Sequence, residues 1–329
     1  VIEPGTDGAA AAGRGDGGTR VAAIDCGTNS VRLLLADIGG DRLTDLERRM
    51  EIVRLGQGVD ETGVLAPEAL DRTFAAMRCY AKLIETHETA DERGPIKVRV
   101  VATSATRDAG NRADFIDGVV DIFGVVPEVI SGAEEAALSF TGATRDLLEL
   151  RPARPYLVVD IGGGSTEFVL GTGSVAAAES VDIGCVRMTE RHLRGGDPPT
   201  PEQIAAAVAD IDTHLAAVRE TVPIDQARTL VGLAGSVTTI AGIALGLPEY
   251  DSKRIHLSRI TAAQVHEATR MLLRATHEER AAIGVMHPGR VDVIGAGALI
   301  LDRIMREYGF GAVVVSEHDI LDGIAWSLA

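Results

Sequence analysis

Basic charge is scarce in this chain. Its 329 residues carry 32 Lys and Arg against 48 Asp and Glu, a formal net charge of −16, so no basic stripe is available to follow the phosphates of a nucleic acid. Cysteine is nearly absent. Cys26, Cys79 and Cys185 lie far apart without zinc-site spacing, and an odd count fits a reducing compartment better than a disulfide framework. No segment approaches the roughly 18 uninterrupted apolar residues of a membrane span, and the first residues lack the basic start and apolar middle of a secretion signal. A cytoplasmic protein with neither membrane nor nucleic-acid partners is the expectation. Two catalytic signatures are missing as well. There is no Gly-Lys-Ser/Thr P-loop, and Ser165 and Ser236 have neither the glycine-framed elbow nor the nearby His that serine hydrolase chemistry requires. The histidines, His256, His266, His277 and His287 among them, show no ligand spacing and are assigned no role.

What is present is enough apolar material, 46% of the residues, for two domains with cores of their own. The opening stretch to about Thr19 is rich in Gly and Ala without an apolar run and reads as a flexible tail, residues 1–19. Residues 20–134 then read as one α/β domain and 135–318 as a second. Each opens with a strand meander and continues through helix-crossover strands. A closing helix within 319–329 is expected to return to the first domain.

The most informative features are two turns. Val21-Ala22-Ala23-Ile24-Asp25 runs into Cys26-Gly27-Thr28-Asn29-Ser30, and Leu157-Val158-Val159-Asp160 runs into Ile161-Gly162-Gly163-Gly164-Ser165-Thr166. Each is a buried strand ending at a carboxylate, followed by residues with little or no side chain, so that backbone N–H groups can face an anion. Gly-Gly-Gly-Ser alone could be an ordinary tight turn. Its place between two apolar strands, and its partner upstream, mark it as a phosphate loop. Given the acidic excess, a polyanion bound here needs local cations, and binding is expected to require a divalent one.

Three further segments stand at strand-to-helix junctions. Ser131-Gly132-Ala133-Glu134-Glu135 places two acids in a first helical turn, where at least one is simply a favourable partner of the helix dipole. Thr103-Ser104-Ala105-Thr106-Arg107 is either a capped helix entry or an anion site with Arg107 as the fork. Gly235-Ser236 opens another helix with the same two readings. Glu167 begins the strand after the second turn, where its alternative is a solvated edge charge.

Taken together, these segments resemble the exopolyphosphatase and guanosine-pentaphosphate phosphohydrolase (Ppx/GppA) family, a branch of the actin, sugar kinase and heat-shock chaperone superfold. The likeness runs from about Arg20 onward. It rests on Ile24–Arg32, on Ala102–Arg107 with Asn111, on Ser131–Ala136 and on Asp160–Glu167, with Ile183–Arg187, Gly235-Ser236 and His287–Arg290 as second-domain landmarks. The resemblance implies an α/β fold of two actin-like domains with an interdomain cleft, in the short two-domain form.

The same resemblance implies hydrolysis of the terminal phosphate of inorganic polyphosphate, with shorter chains favoured. Glu135 is implied as the base, with Glu134 the lesser choice, and Glu167 as a second essential acid. Mg2+, with Mn2+ as an alternative, is expected at Asp160, Asp25 and Glu167. Phosphates are expected on Gly27, Thr28, Asn29, Ser30, Arg32, Arg107, Gly162, Gly163, Gly164, Ser165, Gly235 and Ser236. Removal of the 5′ phosphate of guanosine pentaphosphate is the alternative activity, although no segment reads as a guanine pocket. (p)ppGpp or other nucleotides are implied as further ligands. A non-catalytic sensor and a kinase of the superfold are competing classes, and a homodimer is admitted. The acidic ending Ser316–Gly323 departs from the family's more basic one and implies fewer cationic contacts.

Overall fold

The structure, a computed structural model, describes residues 18–90 and 94–329. The expected tail therefore lies, up to residue 17, outside the described residues, and Thr19 already belongs to the first strand.

Two mixed sheets organise the chain. In the first, β1 (Thr19–Cys26), β2 (Ser30–Gly39) and β3 (Arg42–Ile52) form an antiparallel meander, and β4 (Lys97–Ala102) and β5 (Glu128–Val129) add in parallel to give the order β3-β2-β1-β4-β5. The second contains β6 (Tyr156–Ile161), β7 (Thr166–Gly171), β8 (Val175–Val181), β9 (Thr229–Leu233), β10 (Arg259–Thr261) and β11 (Ala312–Val315), ordered β10-β11-β9-β6-β7-β8. Both sheets repeat one plan: the first strand of a meander is also the central strand on which the parallel crossovers build. This is the two-domain actin-like arrangement expected from the sequence.

The central strands β1 and β6 are covered on both faces, which is why they read as continuous apolar runs rather than alternating ones. β3 is an edge, and its Arg42, Asp45, Glu47, Arg48, Arg49 and Glu51 keep it from pairing with another chain. The three-residue β10 had no periodic signal, since only Ile260 of it is buried.

The helix Gly132–Thr144 begins with a capping box, in which the Ser131 side chain accepts from the Glu134 N–H and the Glu134 carboxylate accepts from the Ser131 N–H. It packs through Ala136, Phe140 and Ala143 on Tyr156, Val158 and Val169 of the second sheet. The closing helix Ile320–Trp326 lies on the first sheet, with Ile320, Leu321, Ile324 and Ala325 against Val21, Ala23, Leu34 and Val101. Its aspartates face arginines. Asp319 pairs with Arg32 and Asp322 with Arg48, so the acidic ending is spent inside the molecule, tying this helix to β2 and β3.

Candidate active site

The two turns are built alike. In the first, Gly27 N–H donates to Ser30 C=O at 2.9 Å, and in the second Gly162 N–H donates to Ser165 C=O at 3.0 Å. Across each hairpin the strand-ending aspartate stands opposite the residue seven positions on: Asp25 faces Arg32, and Asp160 faces Glu167. The duplicated frame thus carries a cation in one copy and an acid in the other.

The turns meet face to face. A Cβ on Gly163 would come 2.8 Å from the Thr28 Cβ, and one on Gly164 would come 2.3 Å from the Ser104 Oγ, so glycine is what lets the loops approach. Arg187 holds this seam, donating to Gly164 C=O (2.7 Å), Asp60 (2.5 Å) and Asp108 (2.6 Å).

Between the loops lies a cavity of about 100 Å³. Its wall takes in all of residues 27–30 and 162–165, together with Asp25, Arg32, Glu135, Asp160, Gly235 and Ser236. Two expected site residues are not in that wall. Arg107 turns to Glu135, donating to its carboxylate at 3.0 Å and to the Ile130 carbonyl at 3.1 Å. Glu167 lies deeper, only 1% exposed, and accepts from the Ser180 hydroxyl at 2.8 Å. The edge-charge reading of Glu167 is corrected here, because β7 runs between β6 and β8. The two acids at 134 and 135 also separate. Glu134 is committed to the cap, whereas Glu135 is buried and lines the cavity.

Four buried acids converge on this place, and each is shifted. Burial pushes Glu135 up to about 7 against the opposing pull of Arg107, and burial with the nearby charge of Asp319 pushes Asp160 to about 7. Glu167 is driven well above the usual carboxylate range by burial and by Glu135 and Asp160. Burial raises Asp25 despite Arg32 beside it. Such an assembly calls for a counter-cation. Asp25 Oδ1 is buried with no hydrogen-bond partner, and the donors are hard oxygens of the kind Mg2+ selects. Among the described residues, no three of these acids bring oxygens within 4.8 Å of one another. This suits an ion that takes one or two carboxylates and fills its remaining positions with water and phosphate oxygens.

Several wall residues were not assigned from sequence. Arg290 reaches across from the second domain, hydrogen-bonding the Gly235 carbonyl, the Thr239 hydroxyl and the Met50 sulfur. In the sequence it stands only within the landmark His287–Arg290. Thr103, Ser104 and Cys185 also line the cavity. Asp319, which shares Arg32 with Asp25, had no local signal at all.

A model of the Ppx/GppA phosphatase family matches residues 28–329. The chain belongs to that family. It is 49% identical over 324 residues to exopolyphosphatase 2 of Mycobacterium tuberculosis H37Rv, covering 94% of this chain and 99% of the relative. A solved exopolyphosphatase-like protein superposes with a TM-score of 0.90 at 43% identity, covering 95% and 98% of the two chains. The Aquifex aeolicus Ppx/GppA enzyme does so with a TM-score of 0.77 at 32% identity, covering 94% and 100%. As a Ppx/GppA phosphatase, the protein is an enzyme whose family chemistry is phosphate hydrolysis. No helix among its described residues is long and apolar enough to cross a membrane.

Proposed function

We propose that this Ppx/GppA phosphatase is an exopolyphosphatase that removes the terminal phosphate of short inorganic polyphosphate chains. The observation that carries the reading is the placement of one buried glutamate, Glu135, in the wall of the cavity that both backbone phosphate turns line.

Glu135 accepts the proton of a water whose oxygen attacks the terminal phosphorus, and the bond from that phosphorus to the bridging oxygen breaks, releasing orthophosphate and a chain one unit shorter. The N–H groups of residues 28–30 and 163–165, with Arg32 and the side chains of Ser30, Ser165 and Ser236, hold the non-bridging oxygens in place. Arg107 orients the Glu135 carboxylate, and Glu167 is the second acid, which orients the water or the metal. Asp160 and Asp25 would hold Mg2+, with Glu167 within its field, and the ion when bound would neutralise phosphate charge. Exopolyphosphatase activity is what the name of the M. tuberculosis relative states of that protein, and its identity over nearly the whole chain supports the transfer.

The test is phosphate release from polyphosphates of defined length with Mg2+. Stepwise orthophosphate release is expected, and none from any length would reject the reading.

One observation favours a second substrate. A cavity of about 460 Å³ shares Arg32, Gly235 and Arg290 with the catalytic cavity and is walled by Met50, Tyr250, Val285, Met286 and Pro288. It has the size and apolar lining that suit a nucleoside, although no sequence segment marks a guanine pocket. Guanosine pentaphosphate, with its 5′ phosphates in the turns and its base here, is therefore the alternative. Comparison of kcat/KM for the two substrates decides between them.

A further inference from the structure

The helix Gly132–Thr144, which carries Glu135 near its start, and the closing helix Ile320–Trp326 cross in backbone contact. A Cβ on Gly142 would come 1.8 Å from the Asp319 carbonyl oxygen, and one on Gly323 would come 2.1 Å from the Leu138 carbonyl oxygen. The centre of the crossing is glycine against backbone, and shear between packed helices is a common form of domain motion. Something beside the crossing has to set its register.

Asp146, His256 and His318 meet there, and the absence of sequence spacing among histidines had left His256 without a role. Asp146 follows the first helix and His318 precedes the second, while His256 ends the short helix Ser252–Ile255 of the second domain. The Asp146 carboxylate pairs with His318 Nδ1 and lies 3.5 Å from His256 Nε2. The two rings are 4.7 Å apart.

The proton positions follow from the neighbours. The Glu317 backbone N–H donates to His256 Nδ1 at 3.2 Å, so the neutral His256 ring carries its proton on Nε2, toward Asp146. That tautomer makes the cluster a proton-held clamp and disfavours a metal at the same nitrogen.

The residue after His318 is Asp319, whose carboxylate takes Arg32 and caps the closing helix through the Leu321 N–H at 3.0 Å. Arg32 in turn donates twice to Asp25, at 2.8 and 2.6 Å, and lines the catalytic cavity.

We propose that His318, clamped by Asp146 and His256, is a positioning residue of the hydrolytic site: it fixes the register of the two crossing helices and, through Asp319, the place of Arg32. The clamp acts at a distance, since eleven residues of mostly helical chain put Asp146 roughly 16 Å from Glu135. The inference rests on the phosphohydrolase reading of the cleft, but its test does not depend on that reading alone.

The groups facing His318 are Asp146 and His256 from the second domain, Asp322 on the closing helix and Arg48 from β3; Glu317 faces His256. Burial and Arg48 work against the charge on His318, yet Asp146 and Asp322 hold its proton up to about 9. The clamp is thus complete at neutral pH and released as pH rises through about 9.

The molecule contains its own reporter. Its single tryptophan, Trp326, sits on the closing helix with the Arg145 guanidinium 3.6 Å from its ring centroid, and Arg145 is the neighbour of Asp146. Selectively excited Trp326 emission should change as the wild-type protein passes through about pH 9 and stay flat in His318→Asn, which keeps an N–H donor but does not titrate. His318→Ala should raise KM for short polyphosphate by about fivefold or more with kcat within about twofold, and His318→Asn should recover most of that loss.

A flat wild-type emission profile, or an unchanged KM in His318→Ala, overturns the proposal. In Mg2+-free buffer, an emission change on adding EDTA at neutral pH would also overturn it, since a proton-held clamp has no ion to lose. If His318→Ala does not fold, Asp146→Asn carries the same KM expectation. If the wild type cleaves no polyphosphate, the hydrolytic reading fails while the fluorescence arm still decides whether the clamp exists.

Discussion

The guanidinium of Arg107 stands 3.0 Å from the carboxylate of Glu135 and 3.1 Å from the carbonyl of Ile130. It thereby bridges the end of one strand and the start of the helix that carries the acid. The pair sets the protonation of the proposed base. Burial raises Glu135 to about 7 while Arg107 draws it down, so the two effects place the group near neutral pH, where a general base works best.

The ratio kcat/KM, which reports the free enzyme, should therefore rise with pH through about 7, because only the unprotonated Glu135 can take the proton. Arg107→Gln removes the lowering influence and should move this acid limb to higher pH. A pH–rate profile that does not shift in the variant would contradict the pairing.

Glu135→Gln should lower kcat by about 10²–10⁴-fold, the range for loss of a general base. Substrate should still bind, because neither turn is disturbed. Phosphate release and calorimetric titration of the variant with short polyphosphate check both halves, and a variant retaining most of its activity refutes the assignment of the base.

Burial holds the folded-state pKa of Asp160 at about 7, well above the ordinary aspartate range. Across that window the folded state binds more protons than the unfolded one, so this group's contribution to stability falls as pH rises and stays unfavourable above about 7. Asp160→Asn should therefore raise Tm at pH 8 while abolishing activity, with each kcal/mol regained worth roughly 2–4 °C. A lower Tm in the variant would contradict this account.

Mg2+ added without substrate should raise the wild-type Tm, since an ion that binds only the folded state stabilises it in proportion to ln(1 + [L]/Kd). Asp25→Asn should lose the effect, because the carboxylate whose Oδ1 is unpartnered becomes a neutral amide with no charge to hold the ion. Equal Mg2+ stabilisation of both proteins would remove Asp25 from the metal set.

Gly184→Ala would place a Cβ 2.2 Å from the Gly163 carbonyl oxygen and 2.4 Å from the Gly164 N, both backbone atoms of the second turn. The loop must shift, and a misplacement of about 1 Å in a positioning group can cost about 10²-fold in rate. A loss of kcat/KM of about that size is expected, with folding checked by circular dichroism.

Much of the site was legible in the chain because its parts are local. Asp25 and Asp160 could be picked out since each ends a continuous apolar strand and precedes a turn that backbone geometry alone makes anion-friendly. Glu135 and Glu134 were legible as a pair but not separable, because the capping box that occupies Glu134 depends on helix phase. Arg107 carried a legible charge with an undetermined target, since its partner depends on where β4 and β5 bring their ends.

The sequence by itself determined the strands other than β10, the two turns and their duplication, because strand burial, turn chemistry and capping are set by neighbours a few residues apart. Only the tertiary structure decided that Asp319 shares Arg32 with Asp25 across 287 positions, and that Asp146, His256 and His318 form one cluster. Those contacts are made by the return of the closing helix to the first sheet, a long-range packing event whose partners leave no spacing along the chain.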